Sequence, residues 1–138
     1  MTYLDLTIAT PSGVIYQAQV EQVTVTTQSG EITILPQHIP LVSHLTLGHV
    51  MVRKNGKESY FAIDGGILEV RDGHSVIVLA NSSERAEDID YARAEEAMRK
   101  AENYMKNPTE FGFDYHKLQE ILRREENRMR IAKKGHRK

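Results

Sequence analysis

The spacing of apolar residues changes once along this 138-residue chain, near Ala80, and that change limits the folds open to it. Up to Ala80, apolar and polar residues alternate, which is the period of strands with one buried face. After the polar stretch 81–83, apolar residues recur every three or four positions in a segment rich in Ala, Glu, Arg and Met. That spacing is typical of amphipathic helices. The sequence therefore predicts an α+β protein with its strands first and its helices last.

The first half, residues 1–84, is predicted to be an antiparallel β-sandwich or flattened barrel, because many short strands follow one another with no helical pattern between them. Alternate apolar residues define the buried faces of these strands: Leu4, Leu6 and Ile8; Val23 and Val25; Ile32 and Ile34; Val50 and Val52; Val76 and Val78. Asn55-Gly56 predicts a two-residue type I′ hairpin after a strand ending near Lys54, since both residues tolerate positive φ.

The second half, residues 85–138, is predicted to be an antiparallel two-helix hairpin. Asp88 is expected to cap the first helix, Asn107-Pro108 to end it, and Asp114 to start the second. The apolar stripes are predicted to be Ala94, Ala97, Met98, Ala101 and Met105 on the first helix, and Tyr115, Leu118, Leu122 and Met129 on the second. Alanine buries little area compared with a Leu or Phe side chain, whose burial contributes about 1.5–3 kcal/mol. The hairpin is therefore expected to be held weakly and to be able to change its packing.

Charge is distributed unevenly although the net charge is only −1. Residues 115–138 hold nine basic and three acidic side chains, whereas residues 1–114 hold nine and sixteen. A basic end on an acidic protein predicts contact with an anionic surface or ligand. Two interpretations of residues 131–138 stay open: a frayed, solvated end, or the nucleic-acid-binding tail of a free-standing sandwich.

Several classes of site are not indicated. The chain has no cysteine, which excludes disulfides and thiolate metal sites, and its six histidines lack metal-ligand spacing. No Walker motif or nucleophile elbow is present, so neither a catalytic nor a metal site is predicted, and Gly65-Gly66 is interpreted as a bulge or tight turn. No apolar run approaches the roughly 20 residues of a membrane span, and the first residues do not resemble a signal peptide. Any membrane association is expected to be through partners.

Three landmarks occur in an order typical of one family. The run Ser29–Val42 contains the pattern G-x-x-x-x-L-P-x-H-x-P, Asp64–Val70 contains G-G-x-x-E-V followed by the strand Val76–Ala80, and Ala86–Asp90 leads into an Ala/Glu-rich helix. Together they cover nearly the whole chain. In these features the chain resembles the epsilon subunits of bacterial F-type ATP synthases.

The resemblance implies a ten-stranded sandwich that docks on the gamma subunit and the c-ring, as a non-catalytic part of the rotor of a proton- or sodium-translocating enzyme. It also implies a peripheral location at the cytoplasmic face of the bacterial cell membrane. In this family the helical hairpin can fold against the sandwich or extend along gamma, where it blocks ATP hydrolysis. The arginines that could then face acidic residues of the beta subunit, in the head formed with alpha, are Arg123, Arg124, Arg128 and Arg130.

A sharper resemblance lies in Ile89–Ala94, which matches the I-D-x-x-R-A motif of epsilon subunits that bind ATP. It implies that ATP, with or without Mg²⁺, is a regulatory ligand that favours the folded-down hairpin. The residues implied are Glu84, Ile89, Asp90, Arg93 and Ala94, together with Arg124 and Arg128 on the second helix. An ordinary solvated helix face is the alternative for Arg124 and Arg128.

Overall fold

The computed structural model describes residues 2–106 and 115–135. The chain divides into two compact units, one ending at Arg85 and one beginning at Ala86. The predicted helix boundaries at Asn107-Pro108 and Asp114 lie outside the described residues. None of the helices in the described ranges is long and apolar enough to cross a bilayer.

The first unit consists of eight strands. They are β1 (Leu4–Thr10), β2 (Gly13–Val20), β3 (Gln22–Thr27), β4 (Gly30–Ile34), β5 (Leu41–Lys54), β6 (Lys57–Arg71), β7 (Ser75–Ala80) and β8 (Ser83–Arg85). Their order is β2-β1-β7-β6-β5-β3-β4, and β8 pairs with β6. All pairings are antiparallel except that of β1 with β7.

The two long strands, β5 and β6, belong to both layers of the sandwich. The first half of β5 and the second half of β6 lie beside β7, β1 and β2, whereas their other halves lie beside β3, β4 and β8. Each layer is thus five strands wide. The described residues therefore form eight continuous strands rather than about ten, and ten is reached only if each half of β5 and β6 is counted separately.

The core lies between the layers and follows the predicted alternation. Leu4, Leu6 and Ile8 from one layer and Val50 and Val52 from the other belong to the same buried cluster. Contact across the layers is direct, since the rings of Tyr16 on β2 and Phe61 on β6 meet edge to face with centroids 5.2 Å apart. This confirms the buried faces predicted from period two.

Two predicted turns are confirmed in detail. Asn55 and Gly56 have φ of 53° and 75°, and Lys54 pairs with Lys57 across them, as a two-residue hairpin requires. Pairing of β5 with β6 is interrupted at Gly65, where β6 passes from one layer to the other. Gly66 has φ of 146°, and any Cβ added there would collide with the backbone of β7. Gly65-Gly66 therefore has the structural role expected.

The described residues of the second unit form a 3-10 turn, Ala86–Asp88, and two helices, α1 (Tyr91–Lys106) and α2 (Tyr115–Gly135). The cap of α1 is Asp90 rather than the predicted Asp88, because the backbone N–H of Arg93 donates to Asp90 Oδ1 at 3.1 Å. Asp88 lies within the preceding 3-10 turn and is too early in the chain to reach that amide.

The predicted stripes are correct only in part. Ala94 and Ala101 on α1 are buried, and Leu118, Leu122 and Met129 on α2 are half-buried. Tyr115, predicted to lie on the stripe, is exposed. The interpretation of residues 131–138 as a frayed end is wrong for 131–135, which are helical and include the buried residues Ile131 and Ala132. Residues 136–138 lie outside the described part of the chain.

Candidate functional site

The two helices run antiparallel, with the start of α1 beside the end of α2. Lys133 Nζ lies 5.6 Å from the centroid of the Tyr91 ring. Gly135 lies against Ala86, two of whose backbone atoms would be 3.0 and 3.2 Å from any Cβ added at Gly135. These contacts set the register in which charged side chains of α1 and α2 can meet.

A carboxylate flanked by two arginines lies on α2. Glu125 Oε2 accepts a hydrogen bond from Arg128 Nη1 at 2.8 Å, and Glu125 Oε1 is 3.7 Å from Arg124 Nε. The Glu125 side chain is only 6% exposed, compared with 25% for Arg128 and 52% for Arg124. A buried carboxylate is costly unless cations or hydrogen bonds satisfy it, which explains why both guanidiniums turn towards it. The two arginines named from the resemblance are thus brought together around one anionic group.

Glu125 itself was not among the residues predicted from the sequence. A signal was present: Glu125 is seven residues after Leu118, so two helical turns place it in line with the apolar stripe. A glutamate at a stripe position, directly after one arginine and three residues before another, indicates a buried carboxylate that is paired with arginine.

The residues predicted to bind ATP differ in how far they are exposed to solvent. Asp90 is exposed and caps α1, and Arg93 is also exposed. Ile89 and Ala94 are buried, so an adenine ring could reach their side chains only after their neighbours move. Glu84 is half-buried on β8, opposite Ala62 of β6, in the strand unit. The structure thus brings the predicted residues together in two places: Asp90 accepts backbone hydrogen bonds from Arg93 and Ala94 at the start of α1, and Arg124 and Arg128 meet at Glu125 on α2.

The remaining arginines of the predicted inhibitory set point outward. Arg123 and Arg130 are both exposed on α2. The Arg130 guanidinium donates to Oδ1 of the buried Asn127 at 2.5 Å, which anchors one of its nitrogens. Arg123 lies one residue before Arg124 and has the same charge, so it is a natural comparison for Arg124 in experiments.

The strand unit presents a second candidate surface, which runs from the end of β4 into the start of β5. Ile39 and Val42 are 74% and 69% exposed, and Leu35 is also exposed. A backbone hydrogen bond ties the middle of this segment to the turn before β7, since Gln37 N–H donates to the Gly73 carbonyl at 2.6 Å. Three large apolar side chains held in water within eight residues are typical of a contact surface for another protein.

Within residues 2–106 and 115–135, no three His, Asp or Glu side chains are grouped so that they could hold a metal ion. The chemistry available at the α2 cluster is therefore that of cations arranged around an anion. Guanidinium groups bind carboxylates and phosphates through the same forked hydrogen bonds, so this arrangement suits either ligand.

Comparison with known proteins gives one consistent result. The family model for the beta-sandwich domain of the ATP synthase delta/epsilon chain matches residues 3–86, and the model for its long alpha-helix domain matches residues 87–133. The ATP synthase epsilon chain of Bacillus pumilus is 37% identical over 134 residues, which is 97% of this chain and 100% of that one. That of Anoxybacillus flavithermus is 43% identical over 106 residues, covering 77% and 78% of the two chains.

Solved structures show the same likeness. A chain in the mitochondrial ATP synthase of Euglena gracilis, described as OSCP/F1/c-ring, aligns with a TM-score of 0.79 at 25% identity, covering 92% of this chain and 79% of that one. A chain from the central stalk and c-ring of the Tetrahymena thermophila mitochondrial ATP synthase aligns with a TM-score of 0.60 at 14% identity, covering 95% and 94%. The second likeness concerns the fold alone.

Proposed function

The chain belongs to the delta/epsilon family of ATP synthase subunits, and from this we propose that its helical unit binds ATP and controls inhibition of ATP hydrolysis. In an F-type ATP synthase it is the epsilon subunit, a non-catalytic part of the central stalk. The strand unit docks on the gamma subunit and the c-ring. The helical unit is the regulatory part, and its arginines are used alternately for ATP and for the acidic residues of the beta subunit.

The observation that supports ATP binding most directly is the convergence of Arg124 and Arg128 on one anionic group. If Lys133 and Tyr91 are level in the antiparallel pair, a rise of 1.5 Å per residue puts Arg93 and Arg128 about 4.5 Å apart along the helix axes. Backbone positions this close along the axis would let three guanidiniums reach the phosphate chain of one nucleoside triphosphate. The role of Asp90 and its neighbours towards adenine remains an expectation from the motif.

Energetics make a ligand-controlled switch feasible. Moving a two-state equilibrium from 1:99 to 99:1 needs about 5.5 kcal/mol of differential binding. Hydrogen bonds to charged groups contribute roughly 1.5–3 kcal/mol each, so two or three bonds made to ATP in only one state are enough. The narrow apolar stripes of α1 and α2 favour such a change, because little buried area must be given up.

Docking of the strand unit has its own support in the exposed apolar segment Leu35–Val42. The hydrogen bond from Gln37 to Gly73 reduces the entropy lost on association, and the apolar side chains would be removed from water. Copurification of gamma by the full chain, and its loss when Ile39 and Val42 are both changed to Ser, tests this part of the proposal.

The decisive experiment separates the two uses of the arginines. Isothermal titration of the full chain with ATP should show binding that Arg124→Ala and Arg128→Ala each weaken by at least tenfold. Arg123→Ala should leave ATP binding within twofold of the unchanged chain, because Arg123 is outside the Glu125 cluster. All three variants should relieve inhibition of ATP hydrolysis by the reconstituted catalytic head. Absence of ATP binding at millimolar concentration would refute the ligand proposal, and unchanged hydrolysis after removal of residues 86–138 would refute the inhibitory one.

A further inference from the structure

Glu125 occupies the same two arginines that the proposed function assigns to phosphate. We infer that the Glu125 carboxylate acts as an internal competitor of the triphosphate: it holds Arg124 and Arg128 in the ligand-free chain and must give them up when the phosphate binds. This inference rests on the proposed function and concerns the regulation of the same site. Glu125 would then lower the affinity for ATP, because it stabilises the ligand-free state.

The contact geometry supports competition rather than coexistence. Arg128 uses Nη1 to donate to Glu125 Oε2 at 2.8 Å, and Arg124 directs its Nε towards the other carboxylate oxygen at 3.7 Å. Both oxygens are therefore engaged with the guanidiniums on which phosphate would depend. A phosphate within hydrogen-bond distance of either arginine would lie only a few ångströms from Glu125, and like charges at that distance repel.

Burial strengthens the argument. The Glu125 side chain is 6% exposed, so water screens its charge poorly. The neighbouring Glu126 is exposed on the same helix and has the same formal charge. Loss of the Glu125 charge should therefore change anion binding far more than loss of the Glu126 charge.

The same contacts allow an opposite role for Glu125. If the carboxylate served to hold Arg128 in the orientation needed by the ligand, its removal would weaken ATP binding, because the guanidinium would lose its support. The two roles predict opposite signs for one measurement, and the sign decides between them.

The test is titration of the full chain with ATP and, separately, with inorganic tripolyphosphate, which lacks the nucleoside. We expect Glu125→Gln to bind ATP about tenfold more tightly than the unchanged chain, equivalent to about 1.4 kcal/mol. Glu126→Gln should differ by less than twofold. The factor for tripolyphosphate should match that for ATP, because the gain arises at the phosphates. An unchanged or weakened ATP affinity in Glu125→Gln, or a gain confined to ATP, would overturn the inference.

A measurement on the unchanged chain covers the case in which Glu125→Gln folds poorly. The ¹³C resonance of the Glu125 carboxyl should shift on addition of ATP as its two arginines leave, whereas that of Glu126 should not. A Glu125 resonance that stays fixed while ATP binds would show that the carboxylate keeps its arginines. If the unchanged chain and Glu125→Gln both fail to bind ATP, the proposed ligand falls together with this inference; if both bind it equally, only this inference falls.

Discussion

Lys133 Nζ lies over the face of the Tyr91 ring, 5.6 Å from its centroid, and so joins the last turn of α2 to the first residue of α1. An ammonium at that distance is attracted by the electron-rich face of the ring. The contact occurs at the end of the hairpin where Asp90 caps α1 and Gly135 approaches Ala86. Three interactions of different kinds therefore fix this end of the helix pair.

The Tyr91–Lys133 contact should be measurable as a coupling energy. In a double-mutant cycle with Tyr91→Leu and Lys133→Met, the coupling should be about 0.5–1 kcal/mol, the range for cation–π pairs that remain partly in water. The free energy of unfolding of the helical unit, followed by circular dichroism at a helical wavelength, provides the measurement. Tyr104→Leu with Lys133→Met is the matched control, because Tyr104 is exposed near the other end of α1. A coupling in the control as large as that of the test pair would contradict the assignment.

Gly66 should tolerate no side chain. A Cβ there would lie 2.8 Å from Ala80 Cα and closer still to the Leu79 carbonyl oxygen, and backbone cannot yield as a side chain does. Gly13 also has positive φ, but a Cβ added to it would meet open space. Gly66→Ala should therefore reduce the free energy of unfolding in urea by about 1–3 kcal/mol more than Gly13→Ala, the usual cost of overpacking. Equal losses would mean that only φ matters at both positions.

The fold was largely predictable because the alternation of apolar residues in strands and the residue preferences of tight turns both depend on neighbouring residues alone. Asn55-Gly56 allows positive φ wherever it occurs, and alternation such as Leu4, Leu6 and Ile8 identifies a buried face without knowledge of its partner. The strand count was less predictable. Whether β5 and β6 continue through their middle depends on pairing with strands far away in sequence, and the interruption at Gly65 does not end either strand.

Of the candidate site, the sequence predicted the arginines but not the carboxylate between them. Arg124 and Arg128 stand out in the sequence as basic residues one helical turn apart. Their shared partner Glu125 was not predicted, because it lies at a stripe position, where an apolar side chain is expected. Placement of the cap at Asp88 failed for a different reason. Asp88 and Asp90 are both good capping residues, and only the path of the backbone through the 3-10 turn decides which of them reaches the amide of Arg93.

Asp90 has two roles that substitution can separate. Its carboxylate caps α1, and the motif assigns it to ATP. Asp90→Ala should cost the helical unit about 1 kcal/mol, whereas Asp90→Ser should cost much less, because the serine hydroxyl can cap in the same way. Thermal unfolding of both variants measures the first role and titration with ATP the second. If Asp90 contacts ATP, both variants should bind it weakly; normal binding by Asp90→Ser would leave capping as its only role.

Glu69 and Arg71 on β6 form an exposed pair whose effect on pH dependence has a defined sign. Arg71 Nε donates to Glu69 Oε1 at 2.5 Å, and this hydrogen bond, opposed by slight desolvation and aided by the positive charge of Arg71, lowers the pKa of the Glu69 carboxyl. A depressed folded-state pKa means that the stabilisation is present above the unfolded value of about 4.3 and is lost as pH falls through the lower folded value. Carboxyl titration by NMR should therefore find the Glu69 pKa below its ordinary range in the unchanged chain and closer to that range in Arg71→Met.

Arg53→Met, which removes the arginine paired with Glu58, is the control and should leave the Glu69 pKa as it is in the unchanged chain. A Glu69 pKa that is the same in all three proteins would show that the pair does not persist in solution.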